Sequence, residues 1–254
     1  MALPRMTARD KDAISALLQG LTYYGSRPLN GRAGLLHSRV GGYTPSDIKV
    51  VAAFDIDARK VGKPLEEACV APPNCTTQFL KRLPRYGVRV QMGPVLDGVA
   101  PHMHRYPPTQ TFVMAKARSV NVGRVLKERG AEVLLNYLPV GSQRATEAYA
   151  AACLSAGVSL INCIPVFIAS DPRWAARFAR RGIPLIGDDV KGQVGATILH
   201  RTLARLFMER GAQVDRTYQL NVGGNTDFLN MLNQDRLRAK KISKTEAVQE
   251  VFRR

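Results

Sequence analysis

Short apolar runs alternate along this chain with longer segments whose apolar residues recur every three or four positions, a pattern that predicts strands and helices in turn. Ile48-Lys-Val-Val-Ala-Ala-Phe-Asp-Ile-Asp57 reads as a buried strand ending in two acids, and residues 87–92, 132–138, 158–163 and 183–186 read as further strands. Helical spacing falls in residues 10–20, 120–130, 143–156 and 171–181. In the first of these Asp10 stands where it caps the helix and Gly20 where it stops it. A further helix is expected from about Gln193 to Arg210, and the stretch beginning Tyr218-Gln-Leu-Asn-Val predicts one more strand. Two glycines, then Asn225 and Asp227, lead from that strand into another helical pattern.

Continuous apolar strands alternating with helices argue an α/β fold with a doubly wound, Rossmann-like parallel sheet. Such a sheet normally opens with an apolar strand and G-x-G-x-x-G, whose glycines let a pyrophosphate approach a helix N-terminus. Only a few residues precede the first helix here, with Arg9 and Lys11 in that region, so the sheet is expected to lack its first strand. Residues 1–187 are expected to form an incomplete dinucleotide-binding domain. Residues 188–254 are expected to open an α+β catalytic and oligomerisation domain, also incomplete.

Composition narrows the classes. With 254 residues, 45% of them hydrophobic, the chain can bury one large core or two smaller ones. No apolar run approaches the ~18–20 residues of a membrane span, and the N-terminus lacks an apolar core of signal-peptide length, so a cytoplasmic protein off the membrane is expected. The formal charge of +17 attracts anions, but the basic residues are spread along the chain without interleaved aromatic residues, which argues against nucleic acid as the partner. Cys69, Cys75, Cys153 and Cys163 form no C-x-x-C pair, and Cys153 and Cys163 read as reduced, buried thiols. His102 and His104 have no third ligand near them in sequence, so no metal site is expected.

Candidate chemistry gathers in three blocks. Gly187-Asp-Asp-Val-Lys-Gly-Gln-Val-Gly195 sets two carboxylates and an ammonium group at the C-terminal end of a strand, where the crevice of an open α/β sheet lies. The asparagine–aspartate turn after the predicted strand at Tyr218 is the second. Arg238-Ala-Lys-Lys-Ile-Ser-Lys-Thr245 is the third, and Lys240 and Lys244, four apart, share one face of a helix. Together they suit an anionic substrate. Read blandly, the acidic turn caps a helix and the lysines form a solvated face. Asp55 stands where an acid at the end of a second strand would accept hydrogen bonds from a ribose, with Asp57 as the fallback; an N-cap for a helix over 58–65 fits the same spacing.

These blocks resemble the myo-inositol phosphate synthases of actinobacterial and archaeal type. The resemblance rests on Val51-Ala-Ala-Phe-Asp-Ile-Asp-Ala-Arg-Lys-Val-Gly62, Gly93-Pro-Val-Leu-Asp-Gly98, Tyr137-Leu-Pro-Val-Gly-Ser142, Pro165-Val-Phe-Ile-Ala-Ser-Asp-Pro172, the Gly187 block, Gln219-Leu-Asn-Val-Gly-Gly-Asn225 and Lys240-Lys-Ile-Ser-Lys-Thr245. It covers nearly the whole chain from Ala13 onward. It implies an NAD-dependent isomerase that turns D-glucose 6-phosphate into myo-inositol monophosphate for inositol and phospholipid biosynthesis, assembled as a homo-oligomer, a tetramer by the resemblance. It further implies Lys240 and Lys244 on the substrate's oxygens, Asn221 and Asp227 lining the cofactor and substrate site, and Asp189 beside the nicotinamide with Lys191 adjacent. Asp55, Tyr149, Gly192, Asp227 and Lys240 are the implied cofactor contacts. Members of the resembled family continue beyond the lysine block, so a chain truncated at both ends is expected. A remnant that binds phosphate metabolites or a full-length subunit without turnover is a competing reading, and a basic nucleic-acid-binding protein is another.

Overall fold

The computed structural model describes residues 5–8, 11–26, 34–190, 194–223 and 226–252. In chain order its elements are β1 (Arg5–Ala8), α1 (Lys11–Gly25), β2 (Lys49–Asp55), α2 (Leu65–Ala68), β3 (Val90–Met92), α3 (Val122–Glu128), β4 (Val133–Asn136), α4 (Gln143–Ala156), β5 (Ser159–Asn162), α5 (Pro172–Arg180), β6 (Leu185–Ile186), α6 (Ala196–Glu209), α7 (Thr226–Asn230) and α8 (Gln234–Phe252). The six strands form one sheet in the order β3-β2-β1-β4-β5-β6, and every pairing is parallel. That is the strand order of dinucleotide-binding sheets.

The first strand, expected to be missing, is present and central. Arg5-Met-Thr-Ala8 pairs with β2 on one side and β4 on the other. Four residues with no continuous apolar run carry little strand signal. A slot between two parallel strands supplies backbone partners on both sides, and filling it removes two open edges.

The two faces of the sheet build separate cores. Between Met6 and Thr7 of β1 the partner on β2 jumps from Val50 to Ala52, an irregularity that reverses the alternation of side chains. Val50 and Ala53 therefore pack with Ile14 and Leu18 of α1, while Ala52 and Phe54 pack with α3, α4 and β5. Cys153 lies in the second core with its thiol pushed up to about 12 by burial, whereas Cys163 is only partly buried.

Three other expectations are corrected. Helix α1 runs through Gly20 to Gly25, because Thr22 bonds the Tyr86 hydroxyl at 3.1 Å and Tyr23 packs edge-on to Phe79. These contacts outweigh the roughly 1 kcal/mol that an interior glycine costs a helix. No helix spans 58–65. The N–H of Ala58 donates to Val113 O and that of Ala115 to Ile56 O, so a turn forms, and only the four-residue α2 follows. The strand predicted at Tyr218 is unpaired among the described residues, and Tyr218, Leu220 and Val222 are 81%, 91% and 98% exposed. A strand exists only where a neighbour accepts its backbone groups.

Candidate active site

At the carboxyl ends of β4 and β5 a buried polar chain fixes the acidic turn. Asn136 donates to Asn162 Oδ1 at 2.8 Å, and Asn162 donates to Asp188 Oδ1 at 2.6 Å. Asp188 also accepts the backbone N–H groups of Ile168, Ala169 and Ser170 at 3.0–3.1 Å. Its carboxylate thus closes the loop after β5 and is spent on it. Asp189, the neighbour, sits at φ +60°, a left-handed conformation that a non-glycine residue rarely adopts. Its N–H donates to Ile164 O at 3.1 Å, and its Oδ2 accepts the Ser243 hydroxyl of α8 at 2.6 Å. The two adjacent acids therefore face different tasks, and Asp189 is the one turned to the lysine helix.

Helix α8 starts on Asn233, whose Oδ1 accepts the N–H groups of Asp235 and Arg236 at 3.0 and 3.3 Å. Arg236, Lys240 and Lys244 recur every four residues and so share a face. Lys240 Nζ lies 3.4 Å from Asp227 Oδ2 in the first turn of α7. Lys240, Lys244 and Asn221 line one cavity of about 660 Å³, together with Gln219, His200 and Thr217. Asn221 stands on the exposed, unpaired stretch and accepts from Gln219 at 3.1 Å. Of the five residues expected to be catalytic, three line this cavity. Asp227 joins it through Lys240, and Asp189 joins α8 through Ser243.

The expected cofactor residues are dispersed. Asp55 ends β2, and its Oδ1 accepts the N–H groups of Ile56 and Asp57 at 2.7 and 2.9 Å, which fixes the carboxylate. Its Oδ2 forms an ion pair with Lys60 Nζ at 3.6 Å, and both side chains are largely buried. Asp57, fully buried, accepts from the guanidinium and N–H of Arg59 and from the N–H of Val113, which makes it a turn anchor. Tyr149 is 2% exposed inside the core, its ring 6.0 Å from that of Phe54. This places its ring in the core between α4 and β2. Gly192 and Lys191 lie outside the described residues. The strand order is that of dinucleotide-binding sheets, with Asp55 at the end of β2.

Reading the sequence missed Ser243, Arg236, Asn230 and Asp97, all of which hold α7 or α8 against the sheet. A faint signal existed: Arg236 stands four residues before Lys240, and Asp97 lies inside a quoted block. Among the described residues no three of His, Cys, Asp and Glu gather as a metal site would require, and no helix is long and apolar enough to cross a membrane.

A family model described as myo-inositol-1-phosphate synthase matches residues 195–254. Over 238 residues the chain is 50% identical to the inositol-3-phosphate synthases of Corynebacterium glutamicum and of Mycolicibacterium smegmatis, with 93% of this chain and 64% of each relative covered. It thus spans under two thirds of the length of these curated relatives. A crystal structure of a myo-inositol-1-phosphate synthase-related protein from Thermotoga maritima shares the fold with a TM-score of 0.69 at 22% identity, over 99% of this chain and 70% of that one.

Proposed function

This chain belongs to the inositol-3-phosphate synthase family, and on that premise we propose that it converts D-glucose 6-phosphate to a myo-inositol monophosphate with NAD as cofactor. The observation that carries the proposal is the cavity in which Lys240 and Lys244 stand together, with Asp227 beside Lys240. Two ammonium groups one turn apart are the donors that a sugar phosphate and a developing oxyanion require. The chemistry that NAD supplies when bound is removal of a hydride from carbon 5 of the sugar and its return after ring closure. Lys240 and Lys244 hold the substrate's oxygens and neutralise the enolate and alkoxide formed on the sugar. Asp227 orients the Lys240 ammonium. Asp189, held by Ser243, lies toward the nicotinamide, and Asp55 takes the ribose. The division into a cofactor-binding half up to residue 187 and a catalytic, oligomerising half from 188 belongs to the same proposal, as does cytoplasmic location.

A second reading is favoured by the exposed, unpaired course of residues 218–222, which leaves Asn221 on an unsupported wall of the cavity. In this reading the chain binds the sugar phosphate without turning it over. Calorimetric titration with D-glucose 6-phosphate, with and without NAD, and chromatography of the products separate the two. Binding with inositol phosphate formation supports the first reading, and binding alone supports the second. Lys240→Ala is expected to lose about 2 kcal/mol of sugar phosphate affinity, roughly thirtyfold in Kd. Absence of any binding by the parent chain would sink both.

A further inference from the structure

Arg236 lies in the first turn of α8, one turn before Lys240. It is 7% exposed, and its guanidinium donates from Nη1 to Val140 O at 3.1 Å and from Nη2 to Asp97 O. Both acceptors are backbone carbonyls in the segments that leave the carboxyl ends of β4 and β3. The same two segments are tied to two other helices. The Asp97 carboxylate accepts the N–H groups of Arg144 and Ala145 at 2.8 and 2.9 Å, which caps α4. Asn230, fully buried at the end of α7, donates to Val140 O at 2.9 Å. One guanidinium thus joins α8 to the loop that caps α4 and to the carbonyl that anchors α7.

A second feature of the contact is steric. Gly141 has φ +81°, and a Cβ placed on it would lie 2.6 Å from the Arg236 Cβ and 2.7 Å from its Cα. Helix α8 lies directly on the loop backbone, and only a glycine there lets it approach so closely. Next to this contact the helix carries a run of like charges. Arg238, Lys240, Lys241 and Lys244 repel one another within two turns, in a chain already at +17. Farther along α8, Ser243 binds Asp189, so Lys240 stands between two points of attachment.

We propose that Arg236 is a positioning residue, whose guanidinium, seated on Gly141, fixes the lysine face of α8 over the carboxyl ends of the sheet. Its consequence for substrate rests on the sugar phosphate reading, whereas the attachment itself does not. Loss of the side chain removes its donor from Asp97 O, leaves Val140 O with Asn230 alone, and frees the first turns of α8 to fray.

Hydrogen–deuterium exchange on the full chain tests this with three variants. Arg236→Ala is expected to speed amide exchange across α8 by about tenfold or more, with α1 and β2 unchanged. Gly141→Ala is expected to do the same, since its methyl pushes α8 away while every donor stays. Arg236→Lys is expected to lie between, because an ammonium group reaches one carbonyl with less fitting geometry. Guanidinium ion at millimolar concentration is expected to restore slow exchange, and D-glucose 6-phosphate affinity, to Arg236→Ala but not to Gly141→Ala. Unchanged α8 exchange in both Gly141→Ala and Arg236→Lys would overturn the proposal even if Arg236→Ala does not fold. So would an Arg236→Ala protein that guanidinium leaves unaltered. If the parent chain binds no D-glucose 6-phosphate, the functional reading fails and the exchange data still decide the attachment.

Discussion

Asp188 and Asp189 are neighbours of the same chemical type, yet the structure gives them opposite work. Asp188 gathers three backbone N–H groups and the Asn162 amide, while Asp189 reaches across to Ser243. Replacement of Asp188 by Ala strands those donors and is expected to cost about 3 kcal/mol in urea-induced unfolding. Asp189→Ala is expected to cost clearly less stability and to weaken ligand binding more. Equal unfolding midpoints for the two variants would contradict the assignment. The pair Asp55 and Asp57 also divides its work, since Asp57 is held by Arg59 and Val113 while Asp55 accepts the N–H groups of Ile56 and Asp57 and pairs with Lys60. In the first pair the sequence marks the acids and leaves open which of them is occupied, because the backbone donors to Asp188 come from a segment 18–20 residues away. Helical spacing cannot tell a ring that faces the crevice from one that packs on Phe54.

Elements were most legible where a local signal and a tertiary role agree. Helix α4 runs over the residues that its spacing predicts, and α5 begins where Asp171 caps it. The Asp171 carboxylate accepts the Arg173 N–H at 2.8 Å and pairs with its guanidinium at 2.9 Å. These contacts, the Arg173 side chain first and its N–H second, hold the carboxyl at about 2 rather than 3.8. The depressed value means that the folded protein prefers the ionised form. The contribution of this cap is therefore complete above about pH 4 and fades as pH falls toward 2. A carboxyl carbon titration by NMR is expected to place the Asp171 midpoint near 2, and a midpoint at or above 3.8 would exclude the capped geometry. Where local signal and tertiary role part, the sequence misleads. β1 is short and partly polar yet central, because two strands flank it, and the apolar alternation at Tyr218 yields no strand where nothing pairs with it.

For the molecule as a whole, charge and apolar surface pull in different directions. The net charge of +17 keeps copies apart, while α6 exposes Leu199, Leu203, Leu206 and Phe207, with Leu220 and Val222 bare on the following stretch. Apolar surface of this extent drives association once salt screens the charge. Sedimentation velocity is expected to show species larger than a monomer at micromolar concentration and moderate salt, and Leu199→Asp with Leu206→Asp is expected to shift them toward monomer. A parent chain that stays monomeric at every salt concentration would rule this out. The amino-acid sequence alone determined the alternation of strand and helix, the parallel α/β class and the three blocks in which the candidate residues gather. These are local properties, written in spacings of two and of three to four residues. Only the tertiary structure decided that β1 fills the centre of the sheet, that Asp189 rather than Asp188 meets the lysine helix, and that Arg236 and Gly141 hold that helix in place. Each of those depends on which backbone groups, far away in sequence, the fold brings within hydrogen-bond reach.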